Sequence, residues 1–154
     1  MGREIERKFL VRTERLPASA RTGGARLTQG YLAHTPSVRV RIAESERGAE
    51  AWLTVKGPGM IERAEYEYAI PVDDARGLLE LCAASLTKVR RHVEVGAHTW
   101  DLDEFTGAHA GLWLAEVELS AQTEEFERPD WLGEEVTDDP RYTNSALARA
   151  GRCP

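Results

Sequence analysis

The chain has 154 residues, of which 42% are hydrophobic and 30% charged, and its formal net charge is −6. These values fit one globular domain spanning residues 1–154, and they exclude an intrinsically disordered chain. The acidic charge argues against a nucleic-acid binder. The sequence has no apolar run of about 18 residues and no apolar signal core at its start, so we expect a cytoplasmic protein that does not enter a membrane.

Clusters rich in Gly and Pro divide the chain into short segments that alternate apolar and polar residues, which is the pattern of β-strands. Eight strands are predicted, at residues 3–11, 25–33, 38–45, 51–56, 61–70, 86–95, 98–105 and 112–120. Helices are predicted at 73–82 and 144–150, with a short one near 131–135. The predicted fold class is therefore mainly β (α+β): a closed eight-stranded antiparallel β-barrel with a few peripheral helices, because closure removes exposed strand edges.

The polar positions of seven predicted strands carry charged residues in an unusual arrangement. Residues two apart on a strand share a face, so Arg39 lies beside Arg41 and Glu116 beside Glu118. For any one strand, a solvated outer face explains such charges. Like charges side by side repel, however, and seven strands that behave alike favour a counter-ion or an opposing strand between them.

If the barrel closes with these side chains inward, its interior contains two kinds of charge. Five carboxylates supply hard oxygen donors, which suit Mg²⁺ or Mn²⁺: Glu4, Glu6, Asp103, Glu116 and Glu118. Six cations can bind phosphate oxygens: Lys8, Arg39, Arg41, Lys56, Lys88 and Arg90. A polyphosphate or nucleoside triphosphate bound with a divalent metal satisfies both sets. Because unpaired buried charges are costly, we expect a water-filled tunnel when no ligand is bound.

Eight short segments occur in a recognisable order along the chain. The pattern Glu-x-Glu-x-Lys occupies residues 4–8, and the others follow at 29–32, 38–41, 54–57, 63–67, 88–90, 101–107 and 115–119. In this order and spacing they resemble the CYTH superfamily, also called triphosphate tunnel metalloenzymes, over nearly the whole chain. The resemblance implies an eight-stranded antiparallel β-tunnel that binds a triphosphate at its centre.

The resemblance also implies roles for individual residues. It makes Glu4, Glu6, Glu116 and Glu118 metal ligands, with Asp103 as an addition. It makes the six cations phosphate contacts, and Arg63 matches the same pattern. It gives Lys8 and Tyr31 a part in the chemistry or in positioning a C-terminal helix at the tunnel mouth. The base that takes a proton from water is Glu65 or a carboxylate of the last predicted strand, and the sequence does not choose between them.

Together these features predict metal-dependent hydrolysis of a small-molecule triphosphate, most simply inorganic tripolyphosphate, because the chain is short and carries no added domain. The alternatives are a nucleoside or thiamine triphosphatase, a class IV-type adenylate cyclase, and a polyphosphate- or nucleotide-binding module without catalysis. The apolar outer face of the strands is also compatible with a homodimer.

Overall fold

A computed structural model of the chain describes residues 2–151 and 153–154. It contains nine strands: β1 Gly2–Val11, β2 Ala25–His34, β3 Ser37–Ser45, β4 Gly48–Lys56, β5 Glu62–Ile70, β6 Ala84–Val95, β7 His98–Phe105, β8 Trp113–Glu118 and β9 Leu132–Glu135. The two α-helices are α1, Val72–Leu81, and α2, Asn144–Ala150. Among the described residues, no helix is both long enough and apolar enough to cross a membrane.

The strands form one antiparallel sheet in the order β5-β4-β3-β2-β6-β7-β8-β1-β9, and it closes where β1 also pairs with β5. Eight strands therefore make a barrel, which confirms the predicted fold class. The ninth strand, β9, pairs with the C-terminal part of β1. Phe9 of β1 pairs with β8 on one side and with Glu135 of β9 on the other, so β9 lies on the same edge of β1 as β5.

The helix predicted near residues 131–135 is wrong, because this segment forms β9. Backbone hydrogen bonds join it to β1 at both ends, from Arg12 N to Trp131 O (2.7 Å) and from Val136 N to Lys8 O (2.8 Å). Gly133 lies so close to Leu10 that an added Cβ would meet the Leu10 carbonyl oxygen at 2.9 Å. Pairing with a distant strand outweighs the local helix preference of this short segment.

Most of the apolar core lies outside the barrel. Phe9 and Trp100 pack with Trp131 and Phe126 from the segment that follows β8, and Val40 packs under α1. Apolar residues point outward because the inward positions of the same strands are charged.

One end of the barrel is an exception to this arrangement. Leu86, Phe105 and Leu114 share the inward side of their strands, and Leu147 of α2 packs against them. Thr143 caps α2 by accepting a hydrogen bond from Ala146 N (3.1 Å). The helix therefore covers part of the barrel opening at this end.

Candidate functional site

Strand pairing brings the charged positions together inside the barrel. In an antiparallel sheet, directly opposed residues share a face. Lys8 lies opposite Glu116 and Glu6 opposite Glu118. Lys56 opposes Glu65, and Arg90 opposes Asp103. The alternation recognised in the sequence therefore corresponds to one continuous charged inner surface.

Two cavities lie along the barrel interior. The first, which we call the chamber, has a volume of about 410 Å³. The second, which we call the vestibule, has a volume of about 450 Å³ and opens beside α2 and the β2–β3 and β4–β5 turns. Arg39, Lys56 and Asn144 line both cavities and so mark the boundary between them. These cavities agree with the expected tunnel.

Two facing walls of the chamber differ in the charged side chains that predominate on them. Strand β3 is four strands away from β8 in either direction around the closed barrel, so the two strands face each other. Arg39 and Arg41 of β3 line one wall. The other wall is formed by β8 and its neighbour β1, and its carboxylates are Glu4, Glu6, Glu116 and Glu118. A negatively charged chain placed between the walls would have cations on one side and potential metal ligands on the other.

The carboxylate wall has an excess of negative charge around Glu6. Burial first, and then the charge of Glu116, raise the pKa of Glu6 from 4.5 to about 7. The nearest cation to Glu6 is Arg63, whose Nη2 lies 3.5 Å from Oε1. Glu116 differs, because although burial opposes ionisation, Lys8 and Arg90 hold its pKa well below the usual value. Close carboxylates of this kind raise each other's pKa unless a cation lies between them.

Some guanidinium donors on the cationic wall have no hydrogen-bond partner among the described residues. The Nε atom of Arg41 donates to Gln29 Oε1 (3.0 Å), and no carboxylate of residues 2–151 and 153–154 lies within 4.0 Å of its guanidinium. Burial, together with Arg39 and Arg90, lowers the pKa of Arg41. The buried Nε atom of Arg39 also has no hydrogen-bond partner in the described part of the chain. Arg39 is buried and Arg41 is partly buried, and guanidinium donors left without partners in such surroundings are costly, which indicates a site that an anion completes.

Lys88 and Asp103 form a dry cluster that lines neither cavity. Their side chains are 0% and 1% exposed, and Lys88 Nζ donates to Asp103 Oδ2 (2.7 Å). Arg90 donates to both oxygens of Asp103, at 2.8 and 2.9 Å. Burial would raise the pKa of Asp103, but Arg90 and Lys88 hold it well below its usual value. The water-filled interior expected from the sequence is therefore interrupted here by a closed ion network.

The remaining candidates lie around the two cavities. Lys8 lines the vestibule, where its Nζ donates to Tyr142 O (2.9 Å) and lies 3.5 Å from Glu116 Oε1. Tyr31 and Arg63 also line the vestibule, and Arg63 Nε donates to Glu4 Oε1 (3.4 Å). Glu65 lines the chamber, with its Oε2 3.4 Å from Lys56 Nζ. Lys56 Nζ also donates to Glu4 Oε1 (2.9 Å).

Several residues of the site were not among the predicted ones. Gln29, which is fully buried, holds Arg41, and Thr54 accepts from Arg39 Nη2 (3.2 Å) and donates to Glu67 (2.8 Å). Gln29 lies two residues before Tyr31 on β2 and therefore shares its face of the strand, so the sequence alternation could have placed Gln29 inside the barrel. Asn144 accepts from Lys88 Nζ (3.0 Å). No sequence pattern placed Asn144 there, because its position depends on how α2 docks.

A larger cavity of about 640 Å³ lies outside this site, between the 19–24 loop and the ends of β3 and β6. Its Arg91 is already bound to Gly23 O (3.1 Å) and Glu104 Oε1 (2.9 Å). Its His92 contacts Asp101 (2.9 Å). The Arg91 and His92 side chains that line this cavity are therefore already paired.

Comparison with known proteins agrees with this geometry. The CYTH domain family matches residues 2–146. The chain belongs to the CYTH domain family. It is 43% identical over 154 residues to an inorganic triphosphatase of Acetivibrio thermocellus, covering 97% of this chain and 95% of that protein. It is 36% identical over 149 residues to an inorganic triphosphatase of Nitrosomonas europaea, covering 94% and 96%.

Among solved structures, the inorganic triphosphatase NE1496 matches with a TM-score of 0.65 and 36% identity, covering 94% of this chain and 93% of that one. The charged barrel of this CYTH domain can be compared with the needs of a divalent metal. Within residues 2–151 and 153–154, no three acidic, His or Cys side chains converge closely enough to hold a metal ion. Glu4 is instead turned to Lys56 and Glu116 to Lys8. The donor chemistry nevertheless fits Mg²⁺ or Mn²⁺, since the wall offers only hard carboxylate oxygens and carries excess negative charge.

Proposed function

We propose that this CYTH-family protein is a divalent-metal-dependent triphosphatase that hydrolyses inorganic tripolyphosphate. The observation that carries the proposal is the division of the chamber into facing walls, with Arg39 and Arg41 opposite Glu116 and Glu118. A bound linear triphosphate is stabilised by cations along one side and by divalent metal along the other. Carboxylate oxygens of the protein are needed to hold that metal. The names of both relatives, which are inorganic triphosphatases, support this choice of substrate.

We propose that the six cations predicted from the sequence, together with Arg63, bind or attract the phosphate chain. Arg39, Arg41 and Lys56 line the chamber and are placed to bind the phosphate chain directly. Lys88 is fully enclosed with Asp103 and Asn144. Its charge would act on a phosphate from behind the chamber wall.

The metal ligands that we propose are Glu4, Glu6, Glu116 and Glu118. Bound Mg²⁺ or Mn²⁺ would neutralise charge on the phosphate oxygens and polarise the bond that breaks. Asp103 suits this role less well, because Lys88 and Arg90 occupy both of its oxygens. We propose that Asp103 holds these two cations in place.

Three residues are proposed to take part in the chemistry. Glu65 lines the chamber with one oxygen near Lys56, so it is placed to accept a proton from an attacking water molecule. Lys8 and Tyr31 line the vestibule, and each can donate a hydrogen bond to a phosphate oxygen there. Lys8 Nζ would exchange its present contact with Tyr142 O for the phosphate.

The test is a comparison of substrates. Phosphate release is measured with tripolyphosphate, ATP and thiamine triphosphate, with Mg²⁺ or Mn²⁺ or with EDTA, and the ATP reactions are examined for cyclic AMP. Hydrolysis is expected with tripolyphosphate and should stop in EDTA. Faster turnover of ATP or thiamine triphosphate would show that the proposed substrate is wrong. Formation of cyclic AMP would show that the proposed reaction is wrong. Binding of triphosphate without turnover of any compound would make the protein a binding module.

A matched pair of variants tests the cationic wall. Arg41→Met removes a chamber guanidinium, whereas Arg26→Met removes an exposed one from the outer side of β2. Loss of a charge-assisted contact predicts a rise in KM of about 10- to 100-fold for Arg41→Met. Arg26→Met should leave KM unchanged. Equal KM values for the two variants would contradict the proposed phosphate site.

Further properties remain proposals. The outer face of β4 and β5 presents Tyr66 and Tyr68, which are 42% and 58% exposed, beside Leu53 and Val55. We propose a homodimer through this apolar face, without nucleic acid as a partner. Size-exclusion chromatography with light scattering tests it, since Tyr68→Glu should shift a dimer to a monomer. A cytoplasmic location is tested by cell fractionation.

A further inference from the structure

Asn144 lies at the boundary between the chamber and the vestibule. Only three of the described residues line both cavities, and the other two are Arg39 and Lys56. A phosphoryl group held by both of these cations would lie at the same boundary. It would therefore lie beside the Asn144 side chain.

The contact with Lys88 fixes the orientation of the Asn144 amide. A lysine ammonium can only donate hydrogen bonds, so the atom that receives its bond must be the carbonyl oxygen Oδ1. That bond is 3.0 Å long. Lys88 is itself held by Asp103 and has no exposed surface, so the amide has a rigid partner. The amide nitrogen Nδ2 must then point elsewhere, and none of the hydrogen bonds among the described residues uses it.

We propose that Asn144 is a further substrate-binding residue, whose Nδ2 donates to a phosphoryl oxygen at the boundary between the chamber and the vestibule. The proposal rests on the proposed function, because it needs a triphosphate in the chamber. Lys88 acts here through Asn144: it presents the amide with its donor side toward the ligand. The buried ion network of Lys88 and Asp103 thus orients the neutral amide of Asn144 at the cavity wall.

The bond between Asn144 and Lys88 is not needed to dock α2, because the helix has other attachments. Leu147 packs into the apolar cluster at the barrel end, and its carbonyl oxygen contacts His109 Nε2 (2.6 Å). Thr143 caps the helix, and Ser145 Oγ contacts His34 Nδ1 (2.6 Å). The bond between Asn144 and Lys88 is therefore one of several links between α2 and the barrel.

The decisive variant is Asn144→Asp, which keeps the shape of the side chain and an acceptor for Lys88. It replaces the amide donor with a negatively charged oxygen, which repels phosphate. Isothermal titration calorimetry with tripolyphosphate in EDTA measures binding without turnover. The dissociation constant should rise by about 10- to 100-fold relative to the wild type, while the melting temperature stays within the scatter of repeated measurements.

Ser145→Ala is the matched control, since it removes the neighbouring contact of the same helix with His34 but does not touch Lys88. Its dissociation constant should stay within about twofold of the wild type. Unchanged binding by Asn144→Asp, or an equal loss in both variants, would overturn the proposal and leave the triphosphatase activity standing. If the wild-type protein bound no tripolyphosphate in EDTA, the proposal for Asn144 would be wrong, and so would the phosphate-binding role proposed for the cationic wall. Absence of phosphate release with Mg²⁺ or Mn²⁺ would instead count against the proposed function alone.

Discussion

Replacing Asp103 by Asn should destabilise the metal-free protein strongly. The Asp103 carboxylate is 1% exposed and accepts three charge-assisted hydrogen bonds, one from Lys88 and two from Arg90. Asn keeps the volume but removes the negative charge and turns an NH₂ group toward one of these cations. Breaking a buried ion pair on one side typically costs about 3–5 kcal/mol, because the partner stays buried without its counter-charge.

The loss can be measured by urea denaturation in EDTA near pH 7, with the melting temperature as a second readout. For a domain of this size, about 3–5 kcal/mol corresponds to a fall in melting temperature of about 6–20 °C. Arg90 and Lys88 hold the pKa of Asp103 below its usual 3.8. A lowered carboxyl pKa gives stability that is present above pH 3.8 and is lost as the pH falls further. The difference between wild type and variant should therefore shrink in acid.

Asp101→Asn provides the matched control on the same strand and the same inner face. The Asp101 side chain is 32% exposed, and its oxygens contact Arg90 at 3.0 Å and His92 at 2.9 Å. Partly exposed pairs contribute about 0–1 kcal/mol, so this variant should lose little stability. If Asp103→Asn lost no more stability than Asp101→Asn and instead weakened Mg²⁺ binding, Asp103 would be a metal ligand. The role proposed for it in holding cations would then be wrong.

Two further predictions concern the carboxylates of the chamber. Because the pKa of Glu6 is raised from 4.5 to about 7, the stability of the metal-free protein should fall by up to about 3 kcal/mol as the pH rises from 4.5 through 7. Denaturation curves of Glu6→Gln should lack this fall, and parallel pH profiles would show that Glu6 is not the group responsible. Glu65→Gln should lower kcat for tripolyphosphate by about 100-fold with little change in KM, because a missing general base affects the chemical step rather than binding. Steady-state kinetics checks this, and an unchanged kcat would exclude Glu65 as the base.

The barrel was predictable because its signal is local and repeated. Alternation along each strand identified all eight barrel strands, and α2 has the predicted bounds, Asn144–Ala150. Membership of the CYTH domain family is confirmed by the match over residues 2–146. The prediction of a triphosphatase agrees with the names of both relatives. The roles of individual site residues and the extent of the domain stay predictions.

Features that depend on contacts between distant segments were not predictable in this way. The four residues of β9 become a strand only because β1 offers a free edge beside β5. Parity placed Asp103 on the inner face, but it did not reveal that Lys88 and Arg90 would occupy the carboxylate. Asn144 reaches the cavity boundary because Leu147 docks α2 on the barrel end. Sequence alternation gives the face of a side chain, whereas its partners depend on tertiary packing.

The placement of the core explains how the fold tolerates a charged interior. Buried charges such as Arg39 cost free energy when no ligand is bound, so they contribute little to stability by themselves. Apolar burial is supplied on the outer side of the barrel, by the cluster around Phe9 and Trp100 and by the packing of α1 on Val40. Substitutions in the chamber should therefore affect ligand binding, whereas substitutions in the outer clusters should affect stability. Arg41→Met should weaken ligand binding without lowering the melting temperature, whereas Trp100→Ala should lower the melting temperature by creating a cavity.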